Sequence, residues 1–435
     1  MAVIAGPAWA LIHCILAQAV TVTAADRTEI RTRVQSSALR FDAETRPAVR
    51  LALTTPHASY SFGYVPTLTW LSMTVDEEGE LIFQQAADAS AGYRWEHTSV
   101  SITQSGSYGT RNFRAMSVAA PALDAPTGTT PPGGTTGTPP PGGTGTPPPG
   151  GQTGTPPPGQ TGPLTTARLQ SYDQNVTLAS SNTRATLQQI FSTRTFGTLS
   201  AGYEYGGGIG AQSEGFLPLR KGPSATISVR HRASLTDDLT TVTNGTSLET
   251  GSTMRAQMVD LGEQWYHRWA PALVSSLYVG AAAALAESDG PPRRRTSAIV
   301  PTSTAALDYG FGLSGGRLRS VGLLQFAPMI DRFTGDFDQR LQWVLDVSWT
   351  RYQLSLIANF SGAQSALPRV VFSNSTALPF NYYSGSASVL YRFTRQVSAE
   401  GGLRAAWVRT EGVEQYPLLW SVFVAGSYAL SATYL

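Results

Sequence analysis

The side chains best suited to catalysis or metal binding are few in this chain. Of its five histidines, His13 lies in an N-terminal apolar run, and the others are His57, His97, His231 and His267. None of these four lies at a metal-ligand or nucleophile–base spacing from another. The glycine-rich residues 202–208 follow a predicted strand and open no helix, which indicates a loop tip and not a phosphate-binding loop. We therefore expect no enzyme, no metal and no cofactor.

The informative polar chemistry lies on charged residues that alternate with apolar ones. The polar faces of the predicted strands carry Arg230, Arg232, Arg255, Arg340, Asp346, Arg392, Glu400 and Arg404. An isolated charge facing lipid costs about 2 to 4 kcal/mol at the bilayer midplane, so these residues are predicted to line the lumen of a barrel. Arginine binds carboxylate and phosphate through paired hydrogen bonds, so such a lumen would favour anionic solutes. The alternative is a set of internal ion pairs that brace a plugged barrel.

The alternation itself predicts strands. In residues 339–349, one face carries Leu341, Trp343, Leu345, Val347 and Trp349, while Arg340, Gln342, Asp346 and Ser348 fall on the other. This period of two is typical of a β-strand with one apolar and one polar face. The segments are about 10 residues long, which is the length of a tilted strand that crosses a bilayer.

The connections between strands point to the same architecture. About twelve strands are predicted between residues 195 and 435. Long loops are predicted at residues 206–222, 244–253, 287–296, 331–337, 362–379 and 410–417, with brief turns at 236–238, 268–271, 314–316, 350–351 and 394–395. Alternation of long and short connections is typical of a transmembrane β-barrel with short periplasmic turns, whereas a soluble β-sandwich does not segregate loop lengths.

Composition excludes other classes. The 435 residues carry a net charge of +2, only 14% are charged, and the mean hydropathy is close to neutral. No run of 18 apolar residues follows the N-terminus, which excludes a helical membrane protein. The low charge density also makes nucleic acid an unexpected partner.

The N-terminus resembles a secretory signal peptide. Residues 8–20 are apolar, and small residues follow through Ala24 and Ala25, so we predict a signal peptide at residues 1–25 and a lead segment at 26–45. The sole cysteine, Cys14, would be removed with it.

A Pro/Gly/Thr-rich linker at residues 116–165 separates predicted strands at 46–115 from the main barrel at 166–435. Four strands before the linker, two in residues 167–194 and twelve afterwards give an antiparallel barrel of about 18 strands. This order places the linker on the periplasmic side, between strands four and five, where it would be a passive spacer or, alternatively, a docking segment for a periplasmic partner or the cell wall. The alternative is a small separate β-domain followed by a barrel of 12 to 14 strands.

Aromatic residues near predicted strand ends indicate interfacial girdles. The lipid-facing candidates are Tyr203, Tyr205, Trp265, Trp269, Trp343, Trp349, Tyr391, Tyr428 and Tyr434. The last two lie in an aromatic C-terminal strand.

Together these features resemble the porin-like outer-membrane β-barrels of Gram-negative bacteria. A weaker resemblance, to myxobacterial polysaccharide-export barrels, rests on Tyr64, Pro66, Leu68 and Trp70 and on the Ser107-Tyr108-Gly109 segment. The resemblance implies a passive channel in the outer membrane for a hydrophilic, anionic solute or a polysaccharide. The alternatives are a structural or adhesive plugged barrel and a barrel hydrolase. Outer-membrane lipid and lipopolysaccharide are the expected partners. The arginines at 293–295 would either meet lipopolysaccharide or form a merely solvated charge run.

Overall fold

The computed structural model describes residues 19–35, 38–71, 80–112, 175–210, 213–214, 217–251, 253–290, 293–331, 335–365, 380–410 and 418–434. They form one sheet of nineteen strands. The strands are β1 (Ala19–Gln35), β2 (Ala38–Thr45), β3 (Ala48–Thr54), β4 (Ala58–Leu71), β5 (Glu80–Arg94), β6 (Thr98–Asn112), β7 (Asn175–Ile190), β8 (Thr195–Gly208), β9 (Arg220–Arg232), β10 (Asp237–Thr250), β11 (Met254–Ala270), β12 (Leu273–Ser288), β13 (Arg294–Leu313), β14 (Gly316–Ile330), β15 (Phe337–Arg351), β16 (Leu354–Ser365), β17 (Phe380–Arg392), β18 (Val397–Thr410) and β19 (Leu418–Tyr434).

The sheet closes on itself. The last strand, β19, pairs antiparallel with β1 from Val20–Tyr434 to Val34–Trp420. Strands β2 and β3 both pair with β1 and β4, so they are two halves of one barrel strand. The halves are separated at Pro47, which has no N–H to donate to the ladder. The nineteen strands therefore make a closed barrel of eighteen, as predicted from the sequence, and the alternative with a separate N-terminal domain is wrong.

The N-terminal boundaries differ from those predicted. Residues 19–25, assigned above to the signal peptide, pair with both β3 and β19, and the predicted lead segment 26–45 forms most of β1 and β2. The apolar start of β1 continues the apolar run before it, which hid the strand. An A-x-A sequence also occurs at residues 17–19, and a cleavage after Ala19 would remove only the first residue of β1 from the ladder. Residues 1–18 lie outside the described residues, and the signal peptide stays a prediction.

The strand count is correct although two of its parts are wrong. The twelve strands predicted after residue 195 are β8 to β19. The described part of residues 167–194 holds one strand, β7, where two were predicted, and β1 was missed. The errors cancel in the total, but they move the linker to the connection between the fifth and sixth barrel strands, β6 and β7.

One rim carries only short turns. Eight connections of two to four residues lie there, at residues 55–57, 95–97, 191–194, 233–236, 271–272, 314–315, 352–353 and 393–396. The long connections lie on the opposite rim, together with three short ones at 36–37, 251–253 and 289–293. The long loops predicted at 244–253 and 287–296 are wrong, because β10 continues through Gly245 to Thr250 and only five residues connect β12 to β13.

The Pro-rich linker therefore starts and ends on the loop rim and not on the turn rim. The residues that it joins are Asn112 and Asn175, and residues 113–174 themselves lie outside the described residues. Because short turns face the periplasm in outer-membrane barrels, the predicted periplasmic placement is wrong. The missed strand β1 inverted the order on which that placement depended.

Directly paired residues share a face of the sheet, which separates the lumen from the outer surface. The outer surface is apolar, with Leu51, Leu199, Ile227, Leu261 and Leu403 each 45% exposed or more. No helix among the described residues is long and apolar enough to cross a membrane.

Outer aromatic side chains form two bands. Trp265, Trp269, Trp349, Tyr391 and Tyr428 lie near the turn rim, while Tyr203, Tyr205, Trp343, Tyr383 and Trp407 lie nearer the loop rim. The side chain of Tyr434 lies outside the described residues. Tyr383 and Tyr391 share one face of β17, about 26 Å apart along the strand and about 20 Å across a bilayer at a typical tilt. That spacing fits the apolar band of an outer-membrane barrel. The described strands thus form a closed antiparallel β-barrel of eighteen strands, with an apolar outer face between two aromatic bands.

Candidate functional site in the barrel lumen

The barrel wall opens between β13 and β14. Their ladder runs from Leu313–Gly316 to Ser303–Phe326 and ends there, although β14 and β15 stay paired up to Ile330–Phe337. Two residues further on, the same register would place Pro301 opposite Pro328, and neither proline has an N–H to donate. Residues 327–331 and 335–340, here called the inward hairpin, therefore leave the wall.

The hairpin folds into the lumen. Phe337 is 0% exposed. With Ile330 it packs in one apolar cluster with Leu248, Ala256, Ala282, Ala284, Ala286 and Val300. Those six residues, Leu248 to Val300, project from the inner faces of β10 to β13, and we call this apolar part of the wall the seat. Gly335, with φ of 69°, approaches the seat so closely that a Cβ there would lie 2.9 Å from Thr250 Cβ.

Polar contacts hold the hairpin at its base. Arg340 Nε donates to Asp338 at 2.8 Å, and Ser365 Oγ donates to the same carboxylate at 2.6 Å. Gln339 Nε2 donates to the Pro301 carbonyl at 3.3 Å, so it binds the part of β13 that β14 has left. Arg340 is only 3% exposed. It was predicted to line the lumen, but it braces the hairpin instead, because the departure of β14 and β15 buries it.

The opposite side of the lumen is lined by small hydroxyl side chains. Ser61 and Ser90 Oγ lie 2.7 Å apart, as do Ser107 and Ser180 Oγ. The inner faces of β4 to β9, here called the hydroxyl wall, carry Ser61, Ser90, Ser101, Ser105, Ser107, Ser180, Thr186, Ser200, Ser224 and Thr226. These side chains can hydrogen-bond to water, and because they are small they leave space in the lumen. The alternation of Ser and Thr in these strands could have revealed it, but the sequence reasoning considered charges alone.

Several predicted lumen residues do face inward. Arg230 forms an ion pair with Asp238 near the turn rim, and Arg232 Nε lies 3.6 Å from the same carboxylate. Asp346 accepts a hydrogen bond from Asn359 on β16. Arg392 faces inward near the turn rim, and no described carboxylate lies within ion-pair distance of it.

Arg255 faces outward, contrary to the prediction. Asp260 on the same strand is buried inward, where it accepts from Tyr278 Oη at 2.5 Å and Thr302 Oγ1 at 2.8 Å. Side chains alternate along a strand, so Arg255, an odd number of positions away, lies on the outer face. It pairs with Glu249 at 2.9 Å. Because residues 244–253 were wrongly predicted as a loop, the first residue of β11 was not known, and the face of Arg255 was assigned wrongly.

Glu400 and Arg404 belong to an ion-pair network that crosses β19. Arg27 lies 2.8 Å from Glu400, and Arg404 donates to both oxygens of Glu29 at 2.7 and 3.1 Å. Arg31 also contacts Glu29, at 3.0 Å. The network, here called the seam network, joins β18 to β1 across the closure of the barrel. Sequence reasoning missed its β1 members because they were assigned to the lead segment.

Most inward arginines have an acidic partner. Arg220 lies 2.7 Å from Glu204, Arg319 donates to Asp308 at 3.0 and 2.6 Å, and Arg50 lies 3.9 Å from Asp88. The predicted lumen, cationic with only Asp346 and Glu400 as acids, is therefore wrong. The described inner surface is close to charge balance.

An Asp–His pair lies on the outer surface at the turn rim. His267 Nδ1 lies 2.6 Å from Asp237 Oδ1, to which Trp265 Nε1 also donates at 3.0 Å. Ser275 is directly opposite His267 in the ladder, and its Oγ accepts from Trp269 Nε1 at 2.9 Å. No described group of three or more His, Cys, Asp or Glu could hold a metal ion.

Comparisons with known proteins give similar barrels. No protein-family model and no curated protein sequence matches the chain. Acinetobacter baumannii OccAB4 is similar at 8% identity and a TM-score of 0.44, covering 96% of this chain and 99% of its own. Pseudomonas aeruginosa OpdO is similar at 11% identity and a TM-score of 0.43, and the match covers 96% of this chain and 99% of OpdO. Pseudomonas aeruginosa OccK2 in complex with glucuronate is similar at 11% identity and a TM-score of 0.42, and the match covers 95% of this chain and 98% of OccK2. The fold itself rests on the strand ladder.

Proposed function

We propose that the protein is a passive channel for small hydrophilic solutes, which pass between the inward hairpin and the hydroxyl wall. The observation that carries this is the contrast between the two faces of β4 to β9. The outer face is apolar, whereas the inner face carries hydroxyls such as those of Ser90 and Ser180. Each of these Ser–Ser pairs uses only one of its two O–H donors, so the remaining hydrogen-bonding capacity needs water, because leaving it unmet is costly in an apolar environment.

We further propose a mild preference for anions, set near the turn rim. Arg94 and Arg392 face inward there, and no described carboxylate lies within ion-pair distance of either. Fixed charge at a channel mouth raises the local concentration of the opposite ion, with a reach of about 10 Å at 0.1 M salt. The polysaccharide proposed from the sequence would have to pass the hairpin, so small solutes are the first class to test.

The test is conductance in planar bilayers under a KCl gradient. We expect ion conduction with a small anion preference, and we expect R94Q/R392Q to shift the reversal potential toward cations. The control is D346N/R404Q, which removes one inward charge of each sign and should shift it less. Absence of conductance in folded, heat-modifiable protein would overturn the channel. Conductance with the same selectivity in all three proteins would overturn the anion preference only.

A lipid-ester hydrolase is the second candidate, supported by the row Asp237, His267 and Ser275. In this scheme Ser275 attacks an ester carbonyl, and His267, oriented by Asp237, takes the hydroxyl proton and returns it to the leaving alcohol. Water then releases the acid. Ester hydrolysis that is lost in S275A and H267A would support it, whereas equal rates in wild type and S275A would exclude it.

A further inference from the structure

A row of alternating charge crosses five strands on the outer surface. Lys221 on β9 pairs directly with Glu249 on β10, and Glu249 pairs with Arg255 on β11. Arg255 pairs with Glu287 on β12, and Glu287 pairs with Arg295 on β13. The ion-pair distances are 3.5 Å for Lys221–Glu249, 2.9 Å for Arg255–Glu249 and 3.4 Å for Arg295–Glu287. We call these five residues the charge row.

The charge row lies at the edge of the membrane on the loop side. Its next neighbour in the ladder is Tyr205 on β8, which pairs with Lys221 and belongs to the aromatic band near the loop rim. Aromatic bands mark the level of lipid headgroups. Lys221 therefore lies at the level of the headgroups, and the other members of the row lie, like it, at the loop-rim ends of their strands.

Stability does not explain the row. The side chains of Arg255 and Arg295 are 60% and 69% exposed, and those of Lys221, Glu249 and Glu287 are 42% to 49% exposed. Ion pairs this exposed contribute about 0 to 1 kcal/mol each. The cations outnumber the acids, and the exposed Arg293 lies beside the row.

We propose that the charge row binds the phosphate groups of lipopolysaccharide in the outer leaflet. Its three cations stand on alternate strands, so they repeat at about 10 Å along the barrel surface. Arg255 and Arg295 can each bind a phosphate through two hydrogen bonds, and the glutamates between them hold the guanidinium groups along the row. The site is separate from the lumen, so it does not depend on channel activity.

The test is binding of purified lipid A to the folded protein in detergent, measured by native mass spectrometry. We expect K221Q/R255Q/R295Q to weaken binding by about tenfold or more, because charge-assisted contacts to phosphate are lost. The matched control R194Q/R268Q/R395Q makes the same charge change at the turn rim and should bind lipid A like the wild type. Dephosphorylated lipid A should bind wild type as weakly as lipid A binds the triple variant.

Three results would overturn the proposal: unchanged binding to the triple variant, equal losses in the control, or equal binding of dephosphorylated lipid A. Displacement of lipid A by millimolar inorganic phosphate would also overturn it, because the row would then be a site for free anions. The single variant R255Q, altered at a well-exposed side chain, should show a partial loss and serves if the triple variant does not fold.

Discussion

The seat and the hydroxyl wall are two parts of one barrel wall that share an apolar outer face and differ inside. In the seat the inner residues are apolar, among them Leu248, Ala284 and Val300, and the inward hairpin covers them. In the hydroxyl wall they are Ser and Thr, such as Ser90 and Ser180. A strand that is apolar on both faces needs a second layer of protein, whereas one with a wettable inner face can border water.

Two prolines supply that second layer. Where Pro301 and Pro328 would meet, the ladder between β13 and β14 ends, and the freed hairpin reaches the alanines of the seat. Alanine leaves room at this surface for the large side chain of Phe337. Ladder chemistry and side-chain size thus act together in placing the hairpin.

The largest expected effect is that of F337A. Removing a fully buried phenylalanine leaves a cavity between hairpin and seat, so we expect a loss of about 3 to 5 kcal/mol in the free energy of unfolding. A loosened hairpin should also raise the single-channel conductance. Urea unfolding in lipid vesicles and bilayer recordings measure the two effects.

The matched control is F360A on β16, where the side chain is 44% exposed on the outer face. It should leave conductance unchanged. Equal conductance in F337A, F360A and wild type would show that packing on the seat does not hold the hairpin in place.

The seam network offers the next largest effect. E29Q removes the charge that Arg27, Arg31 and Arg404 share, and leaves these arginines in excess on a partly buried surface. We expect a loss of about 2 to 3 kcal/mol and a lower temperature for the gel-mobility shift. D308N, which breaks an exposed pair with Arg319, should cost about 0 to 1 kcal/mol. Equal losses of unfolding free energy in E29Q and D308N would contradict the conclusion that the seam network stabilises the closure of the barrel.

Restoring the hydrogen bonds between β13 and β14 should favour a hairpin that stays in the wall, with a smaller effect than E29Q. P301V/P328V supplies two N–H groups, and each restored hydrogen bond contributes about 0.5 to 1.5 kcal/mol to an in-wall arrangement. We expect conductance between those of wild type and F337A. Conductance equal to wild type would show that the prolines accompany the break without causing it.

The smallest effects come from enlarging side chains in the two regions. A284V overfills the covered seat and should cost about 1 to 3 kcal/mol. S180V points into open lumen and should cost about 1 kcal/mol, from its lost hydrogen bond with Ser107. Urea unfolding of the pair tests the order. A larger cost for S180V would contradict the assignment of open and covered walls.

Local pattern was enough to predict the barrel and the twelve strands β8 to β19, because alternation and turns are encoded within about ten residues. The total of eighteen was correct only because two errors cancelled. It was not enough for Arg340 and Arg255. The burial of Arg340 depends on Pro301 and Pro328 meeting across the sheet, and the face of Arg255 depends on where β11 begins. The seam network required knowledge that Glu29 lies in a strand beside the C-terminal one.

The central claim, a water-filled path along the hydroxyl wall beside a covered seat, is tested most directly by thiol accessibility. Cys14 is the sole cysteine of the chain, so in a C14S background S180C and A284C can each be labelled selectively with a charged, membrane-impermeant thiol reagent during bilayer recording. We predict rapid modification and reduced current for S180C, and protection of A284C that is lost in A284C/F337A. Fast modification of A284C in the wild-type background, or an unreactive S180C, would contradict the account.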